Sequence, residues 1–194
     1  MKNIAVFASG SGTNFQAILD SIESGHLKAN VTLLVCDRPK AAVIERAERN
    51  NIPTFVFYPK EFPSKTAFES LIIEELKQAE AELVVLAGYM RLIGETLLSE
   101  YEEKIINIHP SLLPAFPGKD AIGQALEAAV NETGVTVHYV DRGMDTGPII
   151  EQVSIGVNID DTKADLEQRI HKVEHELYPK VIQDLLHSEL MNNK

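Results

Sequence analysis

Ile4-Ala5-Val6-Phe7-Ala8-Ser9-Gly10-Ser11-Gly12-Thr13-Asn14-Phe15 opens the chain with an apolar run, a glycine turn and the start of a helical pattern. The run from Ile4 to Ala8 reads as a strand buried on both faces. Phe15, Ile18, Leu19 and Ile22 then recur at helical spacing. A strand, a glycine turn and a helix in succession aim backbone N–H groups and a helix dipole at an anion. The turn is not a dinucleotide fingerprint: Gly10-x-Gly12-x-x-Phe15 lacks the third glycine, and no Lys follows as in a P-loop. A phosphomonoester suits it better. No cation lies between Asn3 and His26, so the backbone would have to supply the attraction. A plain tight turn, with glycine at φ > 0 and Thr13 or Asn14 capping the helix, accounts for the same letters.

Outward from this unit the alternation continues. Strands are expected at 31–36, 54–57, 83–87 and 105–109, with helices over about 41–50 and over Lys65–Gln78. Strand–helix alternation through residue 109 implies a doubly wound parallel sheet. Beyond it come a short helix at 120–130, strands at 134–140 and 149–153, and a long helix from Thr162 to about Leu190. Pro179 should kink or split that last helix. The expected fold is α/β, a mostly parallel sheet with an antiparallel C-terminal extension and a long C-terminal helix.

In such sheets ligands gather at the carboxyl ends of strands, and three stretches fall there: 9–14, 88–93 and 107–109. Asn107 and His109, two apart on an extended chain, share a face. An amide can donate to an oxygen that gains negative charge, and an imidazole can move a proton near neutral pH. Alternatively, both merely satisfy backbone groups at a strand edge. Pro110, Pro114 and Pro117 force a stiff loop after them. The segment Gly88-Tyr89-Met90-Arg91-Leu92-Ile93-Gly94 could line a flat heteroaromatic ligand or belong to the core. Asp145 lies in a turn-rich loop with two acids before Gly147-Pro148, where an Asx turn is an alternative explanation. Glu174-His175-Glu176 sits midway along the last helix, where one member could point at the site, although charged helix residues usually meet solvent.

The chain has 194 residues, 44% hydrophobic and 24% charged, with a net charge of −11. That suits one domain with a proper core and argues against unassisted binding to nucleic acid or an anionic membrane. The lone Cys36 cannot form an intrachain disulfide and reads as a small buried residue. There is no signal-type apolar segment, no spanning run and no zinc-type spacing. A cytoplasmic, metal-free protein is expected.

Asn107-x-His109-Pro110-Ser111-Leu112-Leu113-Pro114, with Asp145-x-Gly147-Pro148 downstream, resembles the formyltransferases that use 10-formyltetrahydrofolate. Ser9-Gly10-x-Gly12-x-Asn14 narrows the likeness to the branch that formylates phosphoribosylglycinamide in purine biosynthesis. The likeness covers essentially the whole chain, including Ala87-Gly88-Tyr89-Met90-Arg91 and Glu174-His175. It implies one domain over 1–194, with a phosphate-binding half over about 1–100 and a folate-binding, catalytic half over about 101–194. By this resemblance Asn107, His109 and Asp145 are catalytic. Gly12, Thr13 and Asn14 would hold the ribose phosphate, and Glu174 would contact the glycinamide substrate. Met90, Arg91, Leu92 and Ile93, with the backbone of Asp141, Arg142, Gly143, Met144 and Asp145, would line the folate pocket, and Lys65 would lie near the folate. An ionised Asp145 would favour imidazolium at His109. The implied partners are small molecules, as monomer or homodimer. Relatives carry histidines just after the Pro-Gly, whereas this chain reads Lys119-Asp120-Ala121-Ile122, so that segment is given no role. A formyltetrahydrofolate hydrolase, a methionyl-tRNA formyltransferase and a non-catalytic nucleotide-binding module are the competing expectations. The first usually adds an N-terminal domain, and the second a C-terminal tRNA-binding domain that suits so acidic a chain poorly. The third leaves the Asn/His/Asp set unexplained.

Overall fold

The computed structural model describes residues 1–188; the tail of the expected last helix, 189–190, lies outside them. The elements in order are β1 (Lys2–Phe7), α1 (Thr13–Glu23), β2 (Ala29–Cys36), α2 (Ala42–Arg49), β3 (Thr54–Val56), α3 (Lys65–Gln78) and β4 (Leu83–Leu86). They continue with α4 (Glu95–Glu100), β5 (Ile105–His109), α5 (Ala121–Glu127), β6 (Glu132–Tyr139), β7 (Ile149–Gly156) and α6 (Lys163–His187). The strands form one seven-stranded sheet in the order β3-β2-β1-β4-β5-β6-β7. The first five are parallel, and β6 and β7 are added antiparallel.

The continuous apolar runs are continuous because both faces are covered. In β1, Ile4 and Val6 enter one core with Phe15, Ile18 and the apolar stripe of α6, while Ala5 and Phe7 enter the other with Phe68, Ile72 and Leu76 of α3. The sheet reverses its winding between β1 and β4, which opens a crevice above their carboxyl ends.

One expectation is corrected, and one element is new. Pro179 does not split α6: the helix runs unbroken to His187. Tyr178, Pro179, Val181 and Ile182 are all buried, and this packing outweighs the lost backbone bond. A capping box at Thr162 and Asp165 starts the helix. The segment 95–100, given no element from the sequence, forms α4. Its entry is tied down by Glu69 of α3, whose carboxylate accepts from the Gly94 N–H at 2.6 Å and the Leu97 N–H at 3.3 Å. That signal lies in another helix, beyond any local reading.

Candidate active site

A cavity of about 620 Å³ lies over the carboxyl ends of β1, β4 and β5. At one end is the glycine turn. Gly12 is the N-cap of α1 at φ 74°, with no side chain capping the helix, so neither Thr13 nor Asn14 takes that role. A Cβ on Gly12 would also meet Val43 Cγ2 at 2.5 Å. Contrary to the linear reading, a cation does reach the turn: Arg46 of α2 donates from Nε to the Ser11 carbonyl at 2.8 Å. Asn14 Nδ2 and His171 Nδ1 lie 3.3 and 2.9 Å from the same Glu174 oxygen, Oε2. Asn14 Oδ1 is buried without a partner. Glu174 is 5% exposed, so it departs from the solvent-facing habit of helix acids. One turn on, the Tyr178 hydroxyl donates to the carbonyls of Leu86 and Ile106, which locks this stretch of α6 onto β4 and β5. The Glu174 carboxylate beside it holds the His171 imidazole above its ordinary pKa, against the opposing effect of burial.

Midway along the cavity the structure brings Asn107, His109 and Asp145 together. Asn107 Nδ2 is 3.3 Å from His138 Nε2, directly across the β5–β6 ladder. His109 Nε2 faces the Phe116 carbonyl at 2.8 Å, and Nδ1 lies 3.5 Å from Asp145 Oδ2. Asp145 is not making an Asx turn. That task falls to Asp141, which accepts from the Gly143 N–H and the Thr146 hydroxyl. Asp145, at φ 56°, instead reaches across to accept from the Gly118 N–H at 2.8 Å. Burial pushes the Asp145 carboxyl up, but the His138 ring, with Nε2 3.7 Å from Oδ1, the Gly118 N–H and the neighbouring His109 outweigh it and leave the pKa lowered.

Beyond lies an apolar wall. Met90, Leu92 and Met144 are 64%, 49% and 50% exposed and line the cavity, while Ile93 is buried beneath. Tyr89 packs edge-on against Phe7, with ring centroids 5.3 Å apart, so this segment is part core and part lining. Arg142, expected through its backbone, and Lys65, expected near the folate, are not among the residues lining this cavity. The Arg142 side chain turns outward to Glu95, 2.6 Å away, because both are exposed at the rim. Lys65, at the start of α3, donates from Nζ to the Leu92 carbonyl at 2.8 Å and lines a smaller recess behind the 88–93 loop. Asp120, left without a role, caps α5 through the Gly123 N–H and pairs with Lys163.

Sequence reasoning missed His138, His171 and Arg46. His138 was read only as a member of an alternating strand, and period two on the partner of β5 was its available signal. No pattern along the chain points to Arg46. Among the described residues no group of His, Cys, Asp and Glu could hold a metal ion, and no helix is long and apolar enough to cross a membrane.

Comparison with known proteins follows the same outline. The family profile described as Formyl transferase matches residues 2–182. Phosphoribosylglycinamide formyltransferase of Bacillus subtilis (strain 168) is 60% identical over 186 residues, 96% of this chain and 95% of that one. The crystal structure of glycinamide ribonucleotide transformylase 1 from Geobacillus kaustophilus superposes with a TM-score of 0.94 at 67% identity. It covers 96% of this chain and 99% of that one. The trifunctional purine biosynthetic protein adenosine-3 of Drosophila melanogaster is 39% identical over 93% of this chain, which spans 14% of that protein. With the profile matched from the first strand to the last helix, the chain belongs to the formyl transferase family.

Proposed function

We infer that the protein transfers a formyl group from 10-formyltetrahydrofolate to the amine of 5'-phosphoribosylglycinamide, a step of purine biosynthesis. The observation that carries this reading is the convergence, in one cavity, of an uncapped helix N-terminus, an Asn/His/Asp cluster and an apolar wall. The near-full-length likeness to the Bacillus subtilis enzyme supports the substrate.

Each region has a task. The N–H groups of Gly12, Thr13 and Asn14 take the phosphate, with the dipole of α1 behind them and Arg46 at the turn. Glu174, buried and already paired with Asn14, orients the glycinamide end. Met90, Leu92 and Met144 supply an apolar face for the flat ring of the formyl donor, and their exposure fits such a ligand. The amine nitrogen attacks the formyl carbon, the carbon–N10 bond breaks, and the amine proton moves to the folate nitrogen. Asn107 donates to the formyl oxygen as it gains charge. His109 stabilises the same oxygen and relays the proton, and Asp145 holds the ring.

The test is absorbance-monitored release of the folate product from the formyl donor, with and without glycinamide ribonucleotide. Release only with the ribonucleotide is expected. Equal release without it makes the protein a hydrolase and removes the phosphate role from residues 12–14.

A further inference from the structure

Asp37 follows the last residue of β2, and its carboxylate is only 3% exposed. A carboxylate is kept out of water only where donors match its oxygens. Ser9 Oγ donates to Oδ1 at 2.5 Å and Arg91 Nε donates to Oδ2 at 2.8 Å. The Met90 N–H donates to Ser9 Oγ at 2.9 Å, so the hydroxyl is donor and acceptor at once. The bonds form a closed clasp: it leaves the 88–93 loop at Met90, passes through Ser9 and Asp37, and re-enters the loop at Arg91.

The clasp sits behind the cavity wall. Asp37 lines the smaller recess of about 420 Å³ on the far side of the loop, and Met90, Arg91 and Leu92 form the partition between that recess and the main cavity, bordering both. Arg91 is committed to Asp37 and lies over the Phe68 ring at 6.0 Å. The side chains of its neighbours Met90 and Leu92 are exposed, and among the described residues the one side-chain anchor on 90–92 besides the clasp is Lys65 Nζ, on the Leu92 carbonyl at 2.8 Å. The loop also contributes no regular ladder beyond the Ser9 N–H to Gly88 carbonyl bond of 3.1 Å. Its shape therefore depends on side-chain anchors.

We propose that Asp37 is a positioning residue for the formyl donor: acting through Ser9 and Arg91, it holds residues 90–92 in the shape against which the donor ring docks. The proposal rests on the formyltransferase reading of the cavity. It assigns Arg91 the work of an anchor and makes donor affinity depend on a carboxylate that touches neither substrate.

Asp37→Asn tests it in steady-state kinetics with a 10-formyl-dideazafolate donor. The two donors address different oxygens of Asp37; in the variant one of these positions becomes an NH2 that cannot accept, so one donor loses its partner and the loop its preorganisation. The donor KM is expected to rise about tenfold, with kcat within about threefold and the ribonucleotide KM within about twofold. Because Asp37→Asn and Arg91→Gln break one clasp, the double variant should lose much less than the product of the two effects. A wild-type donor KM in Asp37→Asn overturns the proposal, whatever happens to thermal stability. So do fully multiplicative effects, which would mean that Arg91 touches the donor independently. Should Asp37→Asn fail to fold, Ser9→Ala, which removes one oxygen, carries the same test: the same rise in donor KM supports the clasp, and an unchanged KM sinks it. Wild-type turnover is measured first. If it does not depend on the ribonucleotide, the formyltransferase reading fails; if it does and the variants match wild type, only the clasp fails.

Discussion

Asn107 and His109 illustrate how far single residues can be read. Their spacing places both on one face of β5, yet that geometry alone is equally compatible with edge-capping. What distinguishes them is the surroundings: His138 across the ladder and Asp145 from a distant loop. If Asn107 supplies the oxyanion donor, Asn107→Ala should lower kcat by roughly 100- to 1,000-fold, and turnover within a few-fold of wild type would remove that role. Asp145 makes a second prediction, on stability. Its folded pKa lies below the ordinary carboxyl value of 3.8, so its contribution is present above 3.8 and is lost as pH falls through the folded value. The melting-temperature gap between wild type and Asp145→Asn, measured near pH 7 and again below pH 3.8, should therefore narrow in acid. A gap that widens would contradict the ion-pairing assigned to this carboxylate.

Among the elements, the βα unit that opens the chain matters most. Gly12 is required for two independent reasons: its φ is 74°, and its missing Cβ leaves room for Val43 of α2. Gly12→Ala should therefore destabilise the fold by about 1–3 kcal/mol and weaken ribonucleotide binding. Chemical denaturation and the ribonucleotide KM would both register it, and a variant unchanged in both would show that the turn yields without strain. At the other end of the cavity, the Tyr178 hydroxyl ties α6 to β4 and β5 and so sets the height of Glu174. Tyr178→Phe is expected to cost about 0.5–1.5 kcal/mol in denaturant unfolding and to raise the ribonucleotide KM while sparing the donor KM. Equal rises in both would assign Tyr178 a global rather than a local role. These elements were legible because apolar periodicity is a local property, and α3 was expected with the bounds it has. The segment that became α4 was not legible, because Glu69, a residue of another helix, organises its first turn.

Across the whole molecule, the site depends on strand order. β1 and β4 are neighbours with oppositely running crossovers, which turns two separate loop segments, 9–14 and 88–93, into the two walls of one crevice. The amino-acid sequence by itself determined the α/β class, the position of nearly every strand and helix, the glycine turn, and the Asn107, His109 and Asp145 set as candidates. All but Asp145, which joined the set through the family resemblance, are written in residue type and short-range spacing. Only the tertiary structure decided that Glu174 is buried against Asn14, that Arg46 reaches the turn, that His138 faces Asn107, and that Asp37 clasps the 88–93 loop. The physical reason is that hydrogen bonds and ion pairs act over a few ångströms of space, between residues that packing has gathered from remote parts of the chain. Periodicity records which face a side chain occupies, and carries no trace of the partner that waits there.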